Sequence, residues 1–256
     1  MVHKKITYLL FFVCCLTTII SCKEDTTYHT SRVDGGLVQI NQTIKEDSAV
    51  TSFIAPYKTS IDKEMNAVLA YAPKSISKSD SKYNTAIGNM MADAVFEMAN
   101  PIFKTRTGYP FNAVILNHGG IRASLNKGDV TTRNAYQLMP FENEVVVVEL
   151  SGYQLKELFQ YLADRERAHP ISNLQLTLNE DGSIKEYSIQ DNEIEDNETY
   201  FVATSDYLQK GGDNMTFLTK PVSILGLDYK IRNVLIDYFK KYDTIAPVRD
   251  NRFIKE

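Results

Sequence analysis

Residues 145–162, VVVVELSGYQLKELFQYL, contain the pattern of a strand followed directly by a helix. Four consecutive valines and Leu150 form a short apolar, β-branched run that is typical of a buried strand. Ser151, with Gln154 three residues later, has the spacing of a capping box at a helix N-terminus. The apolar residues that follow recur at helical spacing: Leu155, Leu158, Phe159 and Leu162. The strand and the helix are therefore predicted to pack against each other.

Further elements are predicted on both sides of this unit. Strand-like runs occupy residues 112–116, 175–178, 184–189 and 200–204, with a hairpin turn at Asp181-Gly182. Apolar residues at helical spacing predict helices over 61–69, ending before Pro73, over 87–98, ending at Pro101, and over 231–239. Because helices and strands mix without strict alternation, we predict an α/β (mixed α+β) fold with a mixed β-sheet flanked by helices.

Composition fits one substantial domain and excludes one class of partner. The chain has 256 residues, of which 43% are apolar and 11% aromatic, enough to bury a sizeable core. The formal net charge is -4, and basic residues are scattered among acidic ones. Since polymeric nucleic acids require a basic surface, no nucleic-acid polymer is expected as a partner.

The first residues predict export and a lipid anchor. Lys4 and Lys5 precede a mostly apolar stretch at 6–20, which is the arrangement of a secretory signal. Ser21-Cys22 follows and resembles a bacterial lipobox, so we predict a signal peptide at 1–21 and lipidation of Cys22. The alternative is a secreted protein with an incidental cysteine. All three cysteines lie in this leader, which leaves no intramolecular disulfide in the mature chain.

The predicted anchor places the protein in the bacterial cell envelope, attached to the outer membrane. Residues 23–25, KED, are similar to a surface-sorting signal of some lipoproteins, and the membrane face is left open. Residues 22–51 are polar and are predicted to form a tether, with one short strand around 36–40. The folded domain is predicted to span 52–256.

Three loops next to predicted strands contain residues suited to binding. The first, NHGGIR at 117–122, combines paired glycines with Arg122, whose planar fork matches phosphate or carboxylate oxygens. The second, PFEN at 140–143, offers a ring for stacking on a planar base, although a Phe there is also compatible with a core position. The third, DYLQKGGD at 206–213, adds another ring and a carboxylate that can accept hydrogen bonds.

Together and in this order, these stretches resemble the 5'-nucleotidase C-terminal domain family. That family has an N-x-G-G-I-R loop, a P-F-x-N loop before a valine-rich strand, an L-x-G-x-Q-L-K-E helix and a D-F-L-x-x-G-G-D loop. The corresponding stretches here are residues 117–122, 140–143, 150–157 and 206–213. Residues 87–94, IGNMMADA, are similar to the family's L-G-N-L-I-A-D-A segment, and the resemblance covers about residues 52 to 253.

The resemblance implies a substrate-binding site for a nucleotide or nucleoside. Phe141 and Tyr207 would sandwich the base, Asn143 would bond to its edge, and Asp213 would bind the ribose hydroxyls. Tyr207 replaces the family's commoner Phe and keeps a stacking face. The complete predicted substrate-binding set is Asn117, Gly119, Gly120, Arg122, Phe141, Asn143, Tyr207, Gly212 and Asp213.

Asn117 and Arg122 are implied to meet the substrate near its phosphate and ribose. Family members that bind nucleotides usually carry Arg and Asn just ahead of the L-G-N helix. This chain has SKY at 81–83 and then Ala86. Lys82 offers charge there, without the bidentate fork of an arginine.

Family enzymes hydrolyse phosphate esters at a two-metal site in a preceding domain, and such a site needs several His, Asp and Asn ligands. Only His118 and His169 fall in the predicted domain, and no D-x-H, G-N-H-E or H-x-H segment occurs. We therefore predict no catalytic residue, no metal ligand and no cofactor in this chain. His169, before Pro170, is expected at the surface of a loop.

These observations leave alternative functions. The first is the substrate-recognition half of a 5'-nucleotidase, with divalent metals on a separate metallophosphoesterase chain. The second is a stand-alone lipoprotein that binds nucleotides or nucleosides without catalysis. A scaffold or adhesin that keeps only the fold is less compatible with the two ring positions and Asp213.

Overall fold

The computed structural model describes residues 28–256 together with His3, Ile6 and Tyr8. Cys22 and most of the predicted signal peptide at 1–21 lie outside the described residues. Residues 28–40 have no regular secondary structure, so the short strand predicted around 36–40 is wrong. Among the described residues, no helix combines the length and apolar character needed to cross a membrane. The chain divides into two units, Met1–Thr51 and Ser52–Glu256, and the strands belong to the second.

Residues 28–256 contain six α-helices and ten β-strands. In order they are α1 Ser48–Met65, β1 Val68–Ala72, α2 Ala86–Thr107, β2 Ala113–Ile115, β3 Gly128–Thr131, α3 Thr132–Leu138, β4 Glu144–Ser151 and α4 Gly152–Arg165. Then come β5 Ile171–Ser172, β6 Leu174–Leu178, β7 Ile184–Ile189, β8 Thr199–Ser205, α5 Asp206–Gln209, β9 Ser223–Lys230, α6 Ile231–Lys241 and β10 Phe253–Lys255. Short 3₁₀ turns lie at His118–Gly120, Gly212–Asn214 and Thr216–Leu218.

The main sheet has five strands in the order β5-β2-β8-β4-β9. β2 pairs in parallel with β8, and the other pairs are antiparallel. A second sheet, β10-β6-β7, also mixes one parallel and one antiparallel pair, and β1 and β3 form an antiparallel ribbon. The prediction of a mixed sheet flanked by helices is confirmed.

Strand β4 is buried on both faces, as its valine run predicts. Val145 and Val147 belong to a core cluster with residues of α2 and α6, whereas Val148 and Leu150 belong to a second cluster with residues of α4. This division follows the two-residue period of a strand. Each fully buried Leu or Phe in these clusters contributes about 1.5–3 kcal/mol of transfer free energy. The predicted packing of α4 on β4 is therefore confirmed.

The start of α4 is also as predicted. The Ser151 hydroxyl accepts a hydrogen bond from the Gln154 backbone N–H at 3.3 Å. The Gln154 side-chain oxygen in turn accepts from the Ser151 backbone N–H at 3.1 Å. This reciprocal pair satisfies donors that a helix N-terminus otherwise leaves free.

Two helix boundaries differ from the prediction. Pro101 does not end α2, which continues to Thr107, because the later residue Phe103 is buried against the core and offsets the cost of an interior proline. Val68 does not continue the first helix, which ends at Met65 and has no buried residue. Val68 begins β1 and is paired with Thr131 of β3, a partner far along the chain.

Candidate nucleotide-binding site

The sheet order places the three polar loops side by side. β2 and β8 run parallel, so the segments after their last residues, Ile115 and Ser205, leave the sheet at the same edge. β4 is antiparallel to β8, and its first residues pair with the end of β8, with Val145 opposite Ser205. The loops at 117–122, 140–143 and 206–213 therefore meet at one edge of the sheet.

The three loops enclose a pocket of about 310 Å³. This volume lies at the lower end of the range for small-molecule sites. Eight of the nine residues predicted from the sequence line it: Asn117, Gly119, Gly120, Arg122, Phe141, Asn143, Tyr207 and Asp213. We refer to it as the base pocket.

Gly212, the ninth predicted residue, lies behind a ring of the pocket. A Cβ atom at Gly212 would stand 2.4 Å from Cε1 of Tyr207, far inside van der Waals contact. The missing side chain therefore allows the Tyr207 ring to lie against the backbone of its own loop. Gly212 supports the pocket without lining it.

The two aromatic rings of the base pocket are partly open to solvent. Phe141 is 40% exposed and Tyr207 is 45% exposed, which excludes the core position left open for Phe141. The Arg122 guanidinium carbon lies 5.8 Å from the centroid of the Phe141 ring. The pocket thus combines two apolar ring faces with a cation beside one of them.

A hydrogen bond joins the first and third loops across the pocket. The Asn117 side-chain N–H donates to Oδ2 of Asp213 at 2.7 Å. Asp213 has a φ of +53°, in the left-handed region, and its carbonyl accepts from the Tyr161 hydroxyl at 2.9 Å. Gly120 is needed for this arrangement, because a Cβ there would stand 2.8 Å from Oδ1 of Asn117. The Asp213 carboxylate is therefore held in a fixed position.

Two residues outside the predicted set hold the loop that carries Phe141. The Asp206 carboxylate accepts from the Glu144 backbone N–H at 3.1 Å, which links the second and third loops. Arg232 of α6 is buried, donates to the Glu142 carboxylate and to the Phe141 carbonyl, and lies 4.1 Å from the Tyr136 ring centroid. In the sequence Arg232 has the appearance of an ordinary polar position of an amphipathic helix.

The charge of Glu142 is stabilised in the same cluster. Hydrogen bonds from Lys230 and Arg232 lower the pKa of Glu142 to about 2. The carboxylate is therefore ionised at neutral pH. It pairs with both Lys230 and Arg232, and neither of these lines the base pocket, where the cation is Arg122.

The two histidines of the domain lie next to this site. The Nδ1 atom of His118 is 3.1 Å from the Ala168 carbonyl, and the His118 backbone N–H donates to Nδ1 of His169 at 3.4 Å. His169 is only 4% exposed, so its predicted surface position is wrong. Burial lowers the pKa of His169 to about 4 and also lowers the pKa of His118. Both rings are therefore neutral at pH 7.

Other polar groups of interest lie elsewhere. Lys82 forms an ion pair with Glu166 and does not line the base pocket. Within the described residues, no group of three or more His, Cys, Asp or Glu side chains could hold a metal ion. A separate cavity of about 330 Å³ lies beside Arg252, but it has no aromatic lining residue, and its Asp93 and Asp250 carboxylates are occupied by Arg252.

Comparison with known proteins assigns the chain to a family. Residues 65–220 match the family described as 5'-nucleotidase, C-terminal domain, which is more than half of the chain. The protein therefore belongs to the 5'-nucleotidase C-terminal domain family. The loops that line the base pocket at 117–122, 140–143 and 206–213 all fall within the matched residues.

Similar proteins are consistent with this assignment. A 5'-nucleotidase-related protein of Glossina morsitans morsitans is 24% identical over 86% of this chain and 43% of its own length. A 5'-nucleotidase of Vibrio cholerae is 23% identical over 82% of this chain and 37% of its own. The crystal structure of a 5'-nucleotidase precursor from Thermus thermophilus shares the fold, with a TM-score of 0.67 and 20% identity over 82% of this chain and 43% of that one. The chain thus spans about two fifths of the length of these relatives.

Proposed function

We propose that this chain is the substrate-recognition half of a 5'-nucleotidase-type phosphohydrolase. It would bind the base and ribose of a nucleotide while a metallophosphoesterase chain, which carries the divalent metals, hydrolyses the phosphate ester. The observation that carries the proposal is the base pocket, where two partly exposed rings face the same space as Asp213 and Arg122. The family assignment supports the handling of nucleotides.

Each group in the pocket suits one part of a nucleotide. The rings of Phe141 and Tyr207 offer apolar faces for a nucleobase, and the Asn143 amide can both donate to and accept from its edge. The Asp213 carboxylate can accept hydrogen bonds from ribose hydroxyls. Arg122 has no carboxylate partner within 28–256 and can form a bidentate contact with phosphate oxygens.

Contacts with the base and ribose, which are remote from the reacting phosphate, can assist hydrolysis by positioning that phosphate. Binding energy from the base and ribose holds the phosphate where the metals and attacking water act, which lowers the entropic part of the barrier. We assign no catalytic residue to this chain. In this proposal its contribution is orientation of the substrate, and the chemistry belongs to the metal-bearing partner.

Binding of adenosine and AMP to the purified full chain, measured by isothermal titration calorimetry, tests the pocket. We expect Phe141→Ala and Tyr207→Ala each to weaken binding about 5- to 150-fold, since stacking contributes about 1–3 kcal/mol per base. Tyr207→Phe should keep the affinity. The matched control is Tyr153→Ala, which removes an exposed ring of α4 outside the pocket.

Hydrolysis of AMP with added divalent metal separates the two candidate functions. Activity that appears only when a metallophosphoesterase chain of the same organism is added supports the split enzyme. Binding without activity in either case supports the second candidate, a stand-alone nucleotide- or nucleoside-binding surface lipoprotein. Absence of any binding by the wild type would contradict both.

We also propose that the protein is a lipoprotein of the bacterial cell envelope, anchored to the outer membrane through Cys22. The support is the basic-then-apolar leader that ends in Ser21-Cys22. Metabolic labelling with radioactive palmitate should mark the wild type and leave Cys22→Ser unlabelled. Equal labelling of both proteins would overturn the proposal.

A further inference from the structure

A second pocket adjoins the base pocket and shares Asp213 with it. Its volume is about 280 Å³. Its lining residues are Tyr161, Asp164, Arg165, Arg167, His169, Asp213 and Asn214. We refer to it as the arginine pocket, and apart from Asp213 none of its residues belongs to the predicted substrate-binding set.

The two arginines of this pocket are not neutralised. Within the described part of the chain, neither Arg165 nor Arg167 forms an ion pair, whereas four of the eight arginines in 52–256 do. The residues paired with a carboxylate are Arg106, Arg133, Arg232 and Arg252. Glu166 lies between the two arginines in sequence, but its carboxylate pairs with Lys82 and Lys255. Neither guanidinium therefore has a carboxylate partner among the described residues.

The two carboxylates that line the arginine pocket already have hydrogen-bond donors. The Asp164 carboxylate accepts from the Gln160 side chain at 2.7 Å. The Asp213 carboxylate accepts from Asn117 at 2.7 Å. Neither guanidinium pairs with these carboxylates, so both can bind an anionic ligand with several acceptor oxygens.

The base of the pocket is well supported. The Arg165 guanidinium lies 5.3 Å from the Tyr161 ring centroid, and Tyr161 also contacts the His169 and Phe217 rings at 5.4 Å and 5.6 Å between centroids. The Tyr161 hydroxyl donates to the Asp213 carbonyl, which ties this side of the pocket to the loop of the base pocket. A ligand in this pocket would contact the packed Tyr161 ring and the exposed guanidiniums of Arg165 and Arg167.

Asp213 is the common wall of the two pockets, so its position relates their ligands. In the proposed function its carboxylate faces the ribose hydroxyls. A substituent on one of those hydroxyl oxygens would extend past Asp213 into the arginine pocket. Arg122 lines the base pocket but not the arginine pocket, so the cations form two separate groups with Asp213 between them.

We propose that the arginine pocket binds a phosphate carried on the 2' or 3' oxygen of the ribose. This inference rests on the proposed function and names its substrate class, a nucleoside phosphorylated at the 2' or 3' position in addition to the 5' position. Arg165 and Arg167 supply planar forks that match a phosphate dianion, and the remaining ribose hydroxyl donates to Asp213.

Calorimetry on the full chain with 5'-AMP and adenosine 3',5'-bisphosphate, together with the 2',5'-bisphosphate, tests this proposal. We expect one of the bisphosphates to bind the wild type about 10-fold or more tightly than 5'-AMP. In the double variant Arg165→Gln/Arg167→Gln the bisphosphate should bind about as tightly as 5'-AMP, and the affinity for 5'-AMP should be unchanged. Arg249→Gln is the matched control, because that exposed guanidinium donates only to the Asp80 carbonyl in the described structure.

The outcomes separate the two proposals. If 5'-AMP binds and neither bisphosphate binds more tightly, the arginine pocket is not a phosphate site and the proposed function stands. If the double variant weakens 5'-AMP and the bisphosphate equally, with an unchanged melting temperature, the arginines do not recognise the added phosphate. If none of the three ligands binds, both proposals fail. Equal salt sensitivity of all three ligands in the wild type would also contradict a second phosphate contact.

Discussion

At the scale of single residues, the site depends on side chains and glycines that hold one another. Asp213 is fixed by Asn117 through its carboxylate and by Tyr161 through its carbonyl. Tyr207 depends on the missing side chain of Gly212. Because these side chains are closely packed around the base pocket, single substitutions here should change ligand affinity more than the free energy of unfolding.

Gly212→Ala should weaken adenosine binding while the protein stays folded. The added Cβ would stand 2.4 Å from the Tyr207 ring, so the ring must leave its position. Loss of its stacking is expected to reduce affinity about 5- to 150-fold. Gly226→Ala is the control, since nothing lies within 4 Å of a Cβ at that position. Calorimetry that finds the two variants equal to the wild type would contradict the role of Gly212.

His169 should make stability depend on pH in a defined window. Its pKa is about 4 in the folded protein and about 6.5 in an unfolded chain, so the unfolded chain takes up the proton first as pH falls. The stabilisation is complete above pH 6.5 and declines as the pH falls towards 4, by about 3 kcal/mol in free energy of unfolding.

Denaturant unfolding at pH 7 and pH 4.5 checks this prediction. His169→Asn cannot charge, so it should lose less stability over this interval than the wild type. The control is His29→Asn, which changes an exposed histidine. Matching pH dependence in the wild type and His169→Asn would show that burial of this ring is not coupled to folding.

At the scale of elements, strand β4 and helix α4 connect the core to the site. β4 begins where loop 140–143 ends, and α4 begins directly after β4 at its capping box. The Gln154 side chain also donates to the Lys220 carbonyl at 2.9 Å, so the same cap fixes the chain that follows α5. The N-terminus of α4 is thus a structural junction.

Ser151→Ala should lower the free energy of unfolding by about 1 kcal/mol, the usual contribution of an N-cap side chain. Gly152→Ala should cost more, because its Cβ would stand 2.1 Å from the Glu195 carbonyl oxygen, a backbone atom that cannot move freely. Urea denaturation measures both. Tyr153→Ala is the control, since its exposed ring takes no part in the cap. A smaller effect for Gly152→Ala than for Ser151→Ala would contradict this ranking.

At the scale of the whole domain, hydrogen bonds attach the C-terminal segment to α2 and β5. The Arg252 side chain donates to both oxygens of Asp93 in α2 at 2.9 Å and 3.0 Å, and to the Ile171 carbonyl of β5 at 2.7 Å. Asn89 of α2, which is buried, donates to the Val248 carbonyl at 3.2 Å. Polar residues of the IGNMMADA segment therefore hold the tail and do not line the base pocket.

Arg252→Met should lower the free energy of unfolding by about 1–3 kcal/mol, because Asp93 and Asp250 lose their cation but remain partly exposed to water. Affinity for adenosine should change little. Arg249→Met serves as the comparison, and thermal unfolding is the measurement. A loss of adenosine affinity without a loss of stability would place Arg252 in the site instead.

The sequence by itself determined the elements whose signals are local. The valine run of β4, the capping box of α4, the Asp181-Gly182 hairpin and the composition of the three loops depend on residues within a few positions of one another, so they could be predicted. Eight residues predicted from those loops line one pocket. Their likeness to a known family identified them as a set, which periodicity alone could not do.

Tertiary structure decided what depends on distant partners. β1 exists because Val68 pairs with Thr131, and α2 passes Pro101 because Phe103 is buried. His169 is buried, and Arg232 holds the loop of Phe141. Arg165 and Arg167 line the same pocket as Asp213. None of these positions could be predicted from neighbouring residues in the sequence. Burial and strand pairing depend on residues that are far apart in the sequence. For this reason only the tertiary structure decided the charge state of His169 and the boundaries of β1 and α2.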